Sequence, residues 1–191
     1  MKLLKTIKNI FKETPRFPDI TDWHSAGILF ISNNTALIGY KIINESWIVS
    51  GFGGKKEEGE LYYQTAIRET LEELYEVPIT KEVIEYVANR INVKKIVNND
   101  GYVLMICETK QINKFILAGI HFVFDSLMYD SLPYSVLSLI GKRNEISDSE
   151  YPFIGFLPMS MILSDSSPLK IDPNLISDMK YVIEENKDCE K

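Results

Sequence analysis

The sequence predicts a single α/β domain. Its 191 residues suffice for one domain with a sizeable core but are few for two. Short apolar runs typical of strands are interspersed with segments in which apolar residues recur every three or four positions, as in helices. The content of 45% hydrophobic and 25% charged residues is that of an ordinary globular protein. These observations favour a folded domain over a disordered chain.

Charge and cysteine content exclude several classes of protein. The net charge of -6 disfavours extended, nonspecific binding to a nucleic-acid backbone, because like charges repel. Two distant cysteines, Cys107 and Cys189, support neither a disulfide framework nor a cysteine-based zinc site, so a reducing, cytoplasmic location is expected. The longest apolar stretch, residues 115–124, is about half as long as a membrane span, which argues against stable membrane insertion.

Residues 1–16 are expected to form an arm in front of the domain, which comprises residues 17–191. The arm has the pattern of a short basic amphipathic helix, with Leu3, Leu4, Ile7 and Phe11 on one face and four lysines largely on the others. Docking of the arm on the domain is the favoured interpretation. Contact with a membrane surface or with nucleic acid is the alternative.

The domain begins with two predicted strands and a hairpin turn. Residues 26–31 and 36–40 are apolar runs joined by the turn-forming residues 32–35. A third short run, residues 47–50, leads directly into the sequence Gly-Phe-Gly-Gly at positions 51–54. Three glycines in four positions allow backbone conformations closed to other residues, so a tight loop is expected there.

Two helices and a second hairpin follow. Residues 61 to about 76 carry a helical pattern, and Thr80 is a candidate cap for a helix over residues 81 to about 87. The runs 91–97 and 102–107 flank an Asn-Asn-Asp-Gly turn. Because glycine tolerates the positive φ of tight hairpin turns, this is the clearest hairpin signal in the chain.

The last third of the chain is less regular. Residues 113–140 are apolar and aromatic, and their periodicity does not decide between strands and helices. Residues 152–159 are expected to form a late strand. Asp172 followed by Pro173 has the cap-then-proline signature of a terminal helix, which should end near Asn186.

The helix predicted over residues 61–76 has one apolar and one acidic face. With 100° per residue, Glu72, Glu73 and Glu76 lie within about 60° of Glu69, opposite the apolar side chains. Like charges at this spacing destabilise an isolated helix by a few tenths of a kcal/mol per pair. A hard divalent cation would offset the repulsion, whereas a solvated acidic face is the simpler alternative.

The glycines before this helix favour the cation. Gly53 and Gly54 can bring backbone carbonyls close to the same ion and let a diphosphate approach without a Cβ in the way. The expected site then has walls on two sides, one from the helix and one from the glycine turn.

Residues 53–74, GGKKEEGELYYQTAIRETLEEL, resemble the Nudix box. The box asks for Gly, five residues, Glu, seven residues, Arg-Glu, an aliphatic residue, any residue, Glu-Glu, any residue, Gly and an aliphatic residue. Six positions meet it in register, namely Gly54, Glu60, Arg68, Glu69, Glu72 and Glu73.

Three positions of the signature, which extends from Gly54 to Glu76, depart from the box. Thr70 and Glu76 stand where aliphatic residues are usual, and Tyr75 replaces the closing glycine. Tyr75 resists the left-handed conformation that glycine allows. The helix is therefore expected to run on by about one residue and to stop before Pro78.

The resemblance implies a Nudix-type α/β/α sandwich with a mixed β-sheet and a site for Mg²⁺ or Mn²⁺. Glu72 and Glu73 would be the primary metal ligands, together with the carbonyl of Gly53. Glu69 would bind a metal or act as the base on the attacking water, and Arg68 would orient it through a salt bridge.

Further site residues are expected from the loops on either side. Gly54, Lys55 and Glu60 would contact the substrate, with Glu60 also supporting the loop. Nudix enzymes often add a carboxylate from a later loop, and Glu150 is expected to be that ligand. Glu145 and Asp148 are the other candidates, and a loop with ordinary surface acids is the alternative.

The resemblance also implies the reaction. A divalent-metal-dependent pyrophosphohydrolase would cleave the diphosphate linkage of a nucleoside diphosphate joined to another group, by in-line attack of water. The expected partner is thus a nucleotide-like small molecule that contains phosphate.

Three alternatives to this function stay open. An mRNA-decapping enzyme acting on capped RNA is one, because AIRETLEEL resembles that branch equally well, although the acidic protein weighs against it. A diphosphoinositol polyphosphate hydrolase is the second. The third is a non-catalytic Nudix-fold binding module, against which the intact Glu69, Glu72 and Glu73 argue.

Overall fold

A computed structural model describes residues 17–122, 128–143 and 149–188, with only the backbone described for residues 183–188. The N-terminal arm, residues 1–16, lies outside the described residues. So do two of the three candidate late acids, Glu145 and Asp148.

The described strands form one mixed sheet. They are β1 (Ser25–Ser32), β2 (Thr35–Ile43), β3 (Ser46–Ser50), β4 (Phe52–Lys55), β5 (Val93–Asn99), β6 (Tyr102–Glu108), β7 (Phe153–Pro158) and β8 (Lys170–Ile171). The main order is β5-β6-β1-β2-β3-β8, with β4 paired to β1 and β7 paired to β2. The pairs β1–β6 and β3–β8 are parallel and the others are antiparallel.

Helices cover both faces of this sheet. They are α1 (Tyr62–Tyr75), α2 (Lys81–Ala88), α3 (Ile112–His121), α4 (Val136–Arg143), α5 (Met159–Ile162) and α6 (Pro173–Asp188). Buried side chains of α1 to α4 share one core with the sheet, and those of α5 and α6 share another. On β1, Ile28 and Phe30 belong to the first core and Leu29 to the second, because successive strand residues point to opposite faces. The expected α/β/α sandwich with a mixed sheet is confirmed.

Three two-residue hairpins build the strand pairs. Both turn residues have positive φ in each, at Asn33 and Asn34, at Asn44 and Glu45, and at Asp100 and Gly101. This conformation matches the right-handed twist of the flanking strands. The first and third turns were predicted. The second turn, which has no glycine, was not predicted. Strands β2 and β3 extend to this turn, beyond the apolar runs that indicated them.

The glycine-rich run 51–54 is a strand for most of its length, so the expected tight loop is wrong. Residues Phe52–Lys55 pair with the start of β1 as β4. Within the run only Gly53, with φ +151, has a positive φ. A Cβ on Gly53 would lie 2.6 Å from the Cα of Gly27 and 2.7 Å from the carbonyl oxygen of Ala26. The missing side chain therefore serves close approach of two strands.

The undecided region 113–140 contains two helices in its described parts, and its residues 128–135 are turn and loop. Helices α3 and α4 lie in this region, and its described residues contain no strand. The predicted late strand is β7, and the predicted terminal helix is α6, which ends at Asp188. None of the helices in the described ranges is both long and apolar enough to cross a membrane.

The end of α1 follows the prediction made from the missing glycine. The helix includes Tyr75, and the left-handed residue is Glu76, with φ 49 and ψ 44. Glu76 therefore lies just beyond the helix rather than on its acidic face, which corrects the wheel assignment. Its carboxylate accepts a hydrogen bond of 2.8 Å from the N–H of Glu150.

Candidate active site

Helix α1 lies across β1 and β4 and carries the acidic residues of the site. Its apolar face is fully buried in the first core, with Ala66, Ile67, Leu71 and Leu74 at 0% exposure. This packing fixes the rotation of the helix. It brings Glu69 against Gly54 and Glu73 against Gly53.

Glu73 is the most deeply placed acid of the helix. The residue is 4% exposed. The Oε2 of its carboxylate accepts a hydrogen bond of 3.0 Å from the N–H of Gly53. Burial raises the pKa of Glu73 well above its ordinary value, and the charges of Glu150 and Glu69 raise it further. A buried carboxylate with two acidic neighbours is an environment that favours a cation.

Glu69 occupies space left by a glycine. A Cβ on Gly54 would overlap the carboxylate of Glu69, so the two residues fit only because position 54 has no side chain. Burial raises the pKa of Glu69, and the nearby charge of Arg68 opposes this without cancelling it.

Arg68 links the acids of the site to one another through hydrogen bonds. Its Nη1 donates to Glu69 at 2.9 Å and to Glu72 at 2.8 Å, and its Nε donates to Glu60 at 2.7 Å. Its Nη2 donates to the carbonyl of Lys55 at 3.0 Å. Burial alone would lower the pKa of Arg68, but these carboxylates raise it above its ordinary value. The geometry contains the salt bridge between Arg68 and Glu69 that the resemblance implied.

Glu60 braces the loop between β4 and α1. Besides Arg68, it accepts a hydrogen bond of 2.5 Å from the hydroxyl of Thr65 and one of 3.0 Å from the N–H of Glu57. Burial raises the pKa of Glu60, but the bonds from Arg68, Thr65 and Glu57 outweigh it and lower the pKa. All of these contacts are internal. A contact between Glu60 and substrate stays a prediction.

The structure brings Glu150 near the acids of α1, and its role as a late carboxylate ligand stays a prediction. Glu150 precedes β7, and its charge acts on both Glu69 and Glu73. Its side chain is exposed, so it can turn towards a ligand without losing a buried contact. The side chain of Lys55 is also exposed, at the open end of β4.

The donor set fits Mg²⁺ or Mn²⁺, although it is not assembled around one. In the described part of the chain, no three acidic, histidine or cysteine side chains already converge in the geometry of a metal site. The physical reason is that Arg68 holds the carboxylates of Glu69 and Glu72. Carboxylate oxygens are the ligands that these hard cations prefer, and within the described ranges no cationic side chain forms a salt bridge with the buried Glu73 carboxylate.

Two further residues of the site were not indicated by the sequence. The hydroxyl of Tyr151 donates to the carbonyl of Gly51 at 3.0 Å and lies within interaction range of the Glu73 carboxylate. The Nζ of Lys41 lies 5.5 Å from the centre of the Tyr151 ring. Both residues reach the site through the pairing of β2 with β7, and no local signal in the sequence marks either one.

Comparison with known proteins gives only distant matches. No protein-family model and no curated protein sequence matches the chain. Among solved structures, the chain is similar to the MutT protein of Bacillus halodurans, at 14% identity over 83% of this chain and 80% of that one, with a TM-score of 0.38.

The chain is also similar to a bifunctional NMN adenylyltransferase/ADP ribose pyrophosphatase of Francisella tularensis, at 16% identity and a TM-score of 0.42. The match covers 96% of this chain and 46% of that one, so this chain spans about half the length of the bifunctional protein. The Francisella protein has also been solved with AMP and a manganese ion.

Proposed function

We propose that the chain is a Nudix-type pyrophosphohydrolase that depends on Mg²⁺ or Mn²⁺ and cleaves the diphosphate linkage of a nucleoside diphosphate joined to another group. The observation that carries this proposal is the placement of Glu73. A buried acid is held against a glycine strand by the N–H of Gly53, with Glu69 and Glu150 close enough to raise its pKa. An acid in this position is costly unless a cation or a proton accompanies it.

The metal would be held by Glu69, Glu72, Glu73 and Glu150, together with the carbonyl of Gly53. Bound divalent cations supply neutralisation of phosphate oxygens and activation of water. For Glu72 to serve as a ligand, its carboxylate must turn partly away from Arg68, whereas Glu69 can keep one oxygen on Arg68 and offer the other. The Glu72 side chain is 34% exposed, so it has room to move. Arg68 keeps its hydrogen bonds to Glu60 and to the carbonyl of Lys55 when Glu72 turns away.

The side chains of the site then have separate roles in hydrolysis. Glu69 accepts a proton from the attacking water, and its raised pKa brings it closer to the range that suits a general base. The new bond forms between the water oxygen and one phosphorus, and the bond from that phosphorus to the bridging oxygen breaks. Arg68 keeps the Glu69 carboxylate oriented, and Glu60 keeps Arg68 in place.

Lys41, Gly54 and Lys55 are the proposed contacts to the substrate. Lys41 projects from the sheet beside Tyr151, and within the described residues it forms no ion pair with a carboxylate. Because Lys41 has no such partner and lies beside Tyr151, which is a neighbour of Glu73, it is suited to bind a phosphate oxygen. Gly54 and Lys55 are the contacts proposed on β4, where the side chain of Lys55 is exposed and available to a phosphate oxygen.

The test is release of phosphate or nucleotide from a substrate panel with Mg²⁺ or Mn²⁺. The panel holds sugar nucleotides, dinucleoside polyphosphates, nucleoside triphosphates and capped RNA. Turnover of sugar nucleotides that is abolished by a chelator is expected. Preference for capped RNA would favour decapping instead, and absence of turnover across the panel would overturn the proposal.

Glu73→Gln is the matching variant. We expect it to lower kcat by about 10²- to 10³-fold, because it keeps the shape of the side chain and removes its charge. Glu82→Gln, at an exposed position in the first turn of α2, is the control and should leave kcat unchanged. Equal activity of the two variants would exclude Glu73 from the chemistry.

A further inference from the structure

We propose that Tyr151 is a positioning residue that holds the carboxylate of Glu73 in the orientation needed to bind the divalent cation. The inference rests on the proposed function, because it assigns a role to a neighbour of one proposed ligand. Tyr151 belongs neither to the Nudix box nor to the acids that the sequence suggested.

The contacts of the hydroxyl favour this role. A tyrosine hydroxyl has one hydrogen, and that of Tyr151 has two acceptors within reach, the carbonyl of Gly51 at 3.0 Å and the carboxylate of Glu73. The side chain of Ser50 also lies near the same hydroxyl. Because an ionised carboxylate is the stronger acceptor, the hydrogen goes to Glu73 when that acid is charged. A polar chain thus runs from Ser50 at the end of β3, through Tyr151, to α1.

The ring of Tyr151 is fixed by its packing. The residue is 1% exposed, and the centre of its ring lies 5.8 Å from that of Phe52. It lies directly over Gly39 of β2, where a Cβ would come within 2.7 and 2.8 Å of two ring carbons. The hydroxyl therefore cannot swing away, and the position of the carboxylate that it contacts is restricted with it.

Glu73 is consequently held by two donors from different parts of the fold. One is the N–H of Gly53 on β4, and the other is the hydroxyl of Tyr151 in front of β7. A carboxylate has about four acceptor sites, so two donors orient it and still leave lone pairs for a cation. Groups that orient metal ligands in this way typically change metal affinity by 10- to 100-fold when they are removed.

Direct titration of Mn²⁺ tests the inference without relying on activity. The probe is Mn²⁺ alone, titrated into the whole 191-residue chain, and the free ion is followed by electron paramagnetic resonance. Tyr151→Phe keeps the ring and removes the hydroxyl, and we expect it to weaken Mn²⁺ binding by about tenfold. Gly39→Ala keeps the hydroxyl but displaces the ring, and we expect it to weaken binding in the same direction.

Tyr181→Phe is the matched control. It removes a tyrosine hydroxyl that donates to the side chain of Asn99 at 2.9 Å, away from α1. It should cost similar stability and leave Mn²⁺ affinity unchanged. Wild-type affinity in Tyr151→Phe, with only a lower melting temperature, would overturn the positioning role. A wild-type protein that binds no Mn²⁺ would instead overturn the proposed function, and this inference with it.

Discussion

At the residue scale, the site depends on positions where a side chain is missing. Gly54 leaves the space that the carboxylate of Glu69 fills, and Gly39 leaves the space that the ring of Tyr151 fills. Neither glycine has the positive φ that would require it for backbone reasons. The requirement at both positions is therefore steric, and it comes from a functional side chain on another element.

Replacement of Gly54 by alanine should separate this steric requirement from a general effect of glycine in a strand. The added methyl group would overlap Glu69 and push its carboxylate away from Arg68, so we expect kcat to fall by at least about tenfold. Gly155→Ala is the control, because a Cβ at that position on β7 meets no atom within 4 Å. Steady-state kinetics with the best substrate of the panel provides the measurement. Equal kcat values for the two variants would contradict the steric argument.

The residues that the sequence could predict are those that act through local spacing. Arg68, Glu69, Glu72 and Glu73 lie within six consecutive positions, so a helical wheel places them together without knowledge of the fold. Tyr151 and Lys41 are separated by more than one hundred residues and meet only because β2 pairs with β7. A single sequence carries no periodic signal for such a meeting, so these two candidates appear only in the structure.

At the element scale, the C-terminal end of α1 is closed by side chains of other elements. The last carbonyls of a helix have no partner within the helix. Here the hydroxyl of Tyr129 donates to the carbonyl of Leu74 at 2.8 Å, and the buried guanidinium of Arg143 donates to the carbonyl of Glu73. With Tyr75 in place of the usual glycine, these contacts take over part of the capping.

Removal of one of these caps should destabilise the protein measurably. Tyr129→Phe leaves the carbonyl of Leu74 buried without its donor, and we expect the free energy of unfolding to fall by about 1–2 kcal/mol. Urea denaturation followed by circular dichroism measures the change. Tyr134→Phe, at a position that is 77% exposed, should leave the midpoint unchanged. If both variants unfold at the wild-type midpoint, the end of α1 does not depend on this cap.

The elements that were predicted well are those with a local chemical signal at their ends. The Asp-Gly turn and the Asp-Pro helix start fixed the third hairpin and the beginning of α6. The glycine run at residues 51–54 predicts a loop but forms most of β4, because glycine permits both tight turns and close packing of strands. The sequence leaves α3 and α4 undecided because the apolar residues of positions 113–140 show no clear helical or strand period.

At the scale of the whole molecule, the sheet separates two cores with different contents. The first core carries α1 and thereby the candidate active site. The second core, beneath α5 and α6, contains a buried acid, Asp178, which is 5% exposed. Burial raises the pKa of Asp178 to about 7, and the charge of Asp172 adds to the effect. The stability of the protein is therefore expected to depend on pH through a group outside the active site.

The sign of this dependence follows from the raised pKa. A carboxyl group that titrates near 3.8 in the unfolded chain and at about 7 in the folded protein binds its proton more tightly in the folded state. Its contribution to stability is complete below about pH 4 and is lost as the pH rises through 7.

Asp178→Asn removes the titrating group, so we expect its free energy of unfolding to exceed that of the wild type by about 2 kcal/mol at pH 8. The advantage should disappear towards pH 4. Urea denaturation across this range measures the difference, with Asp165→Asn at an exposed position as the control. Because Glu73 also has a raised pKa and titrates in both proteins, only the difference between variant and wild type isolates Asp178, and a difference that is constant with pH would contradict the assignment.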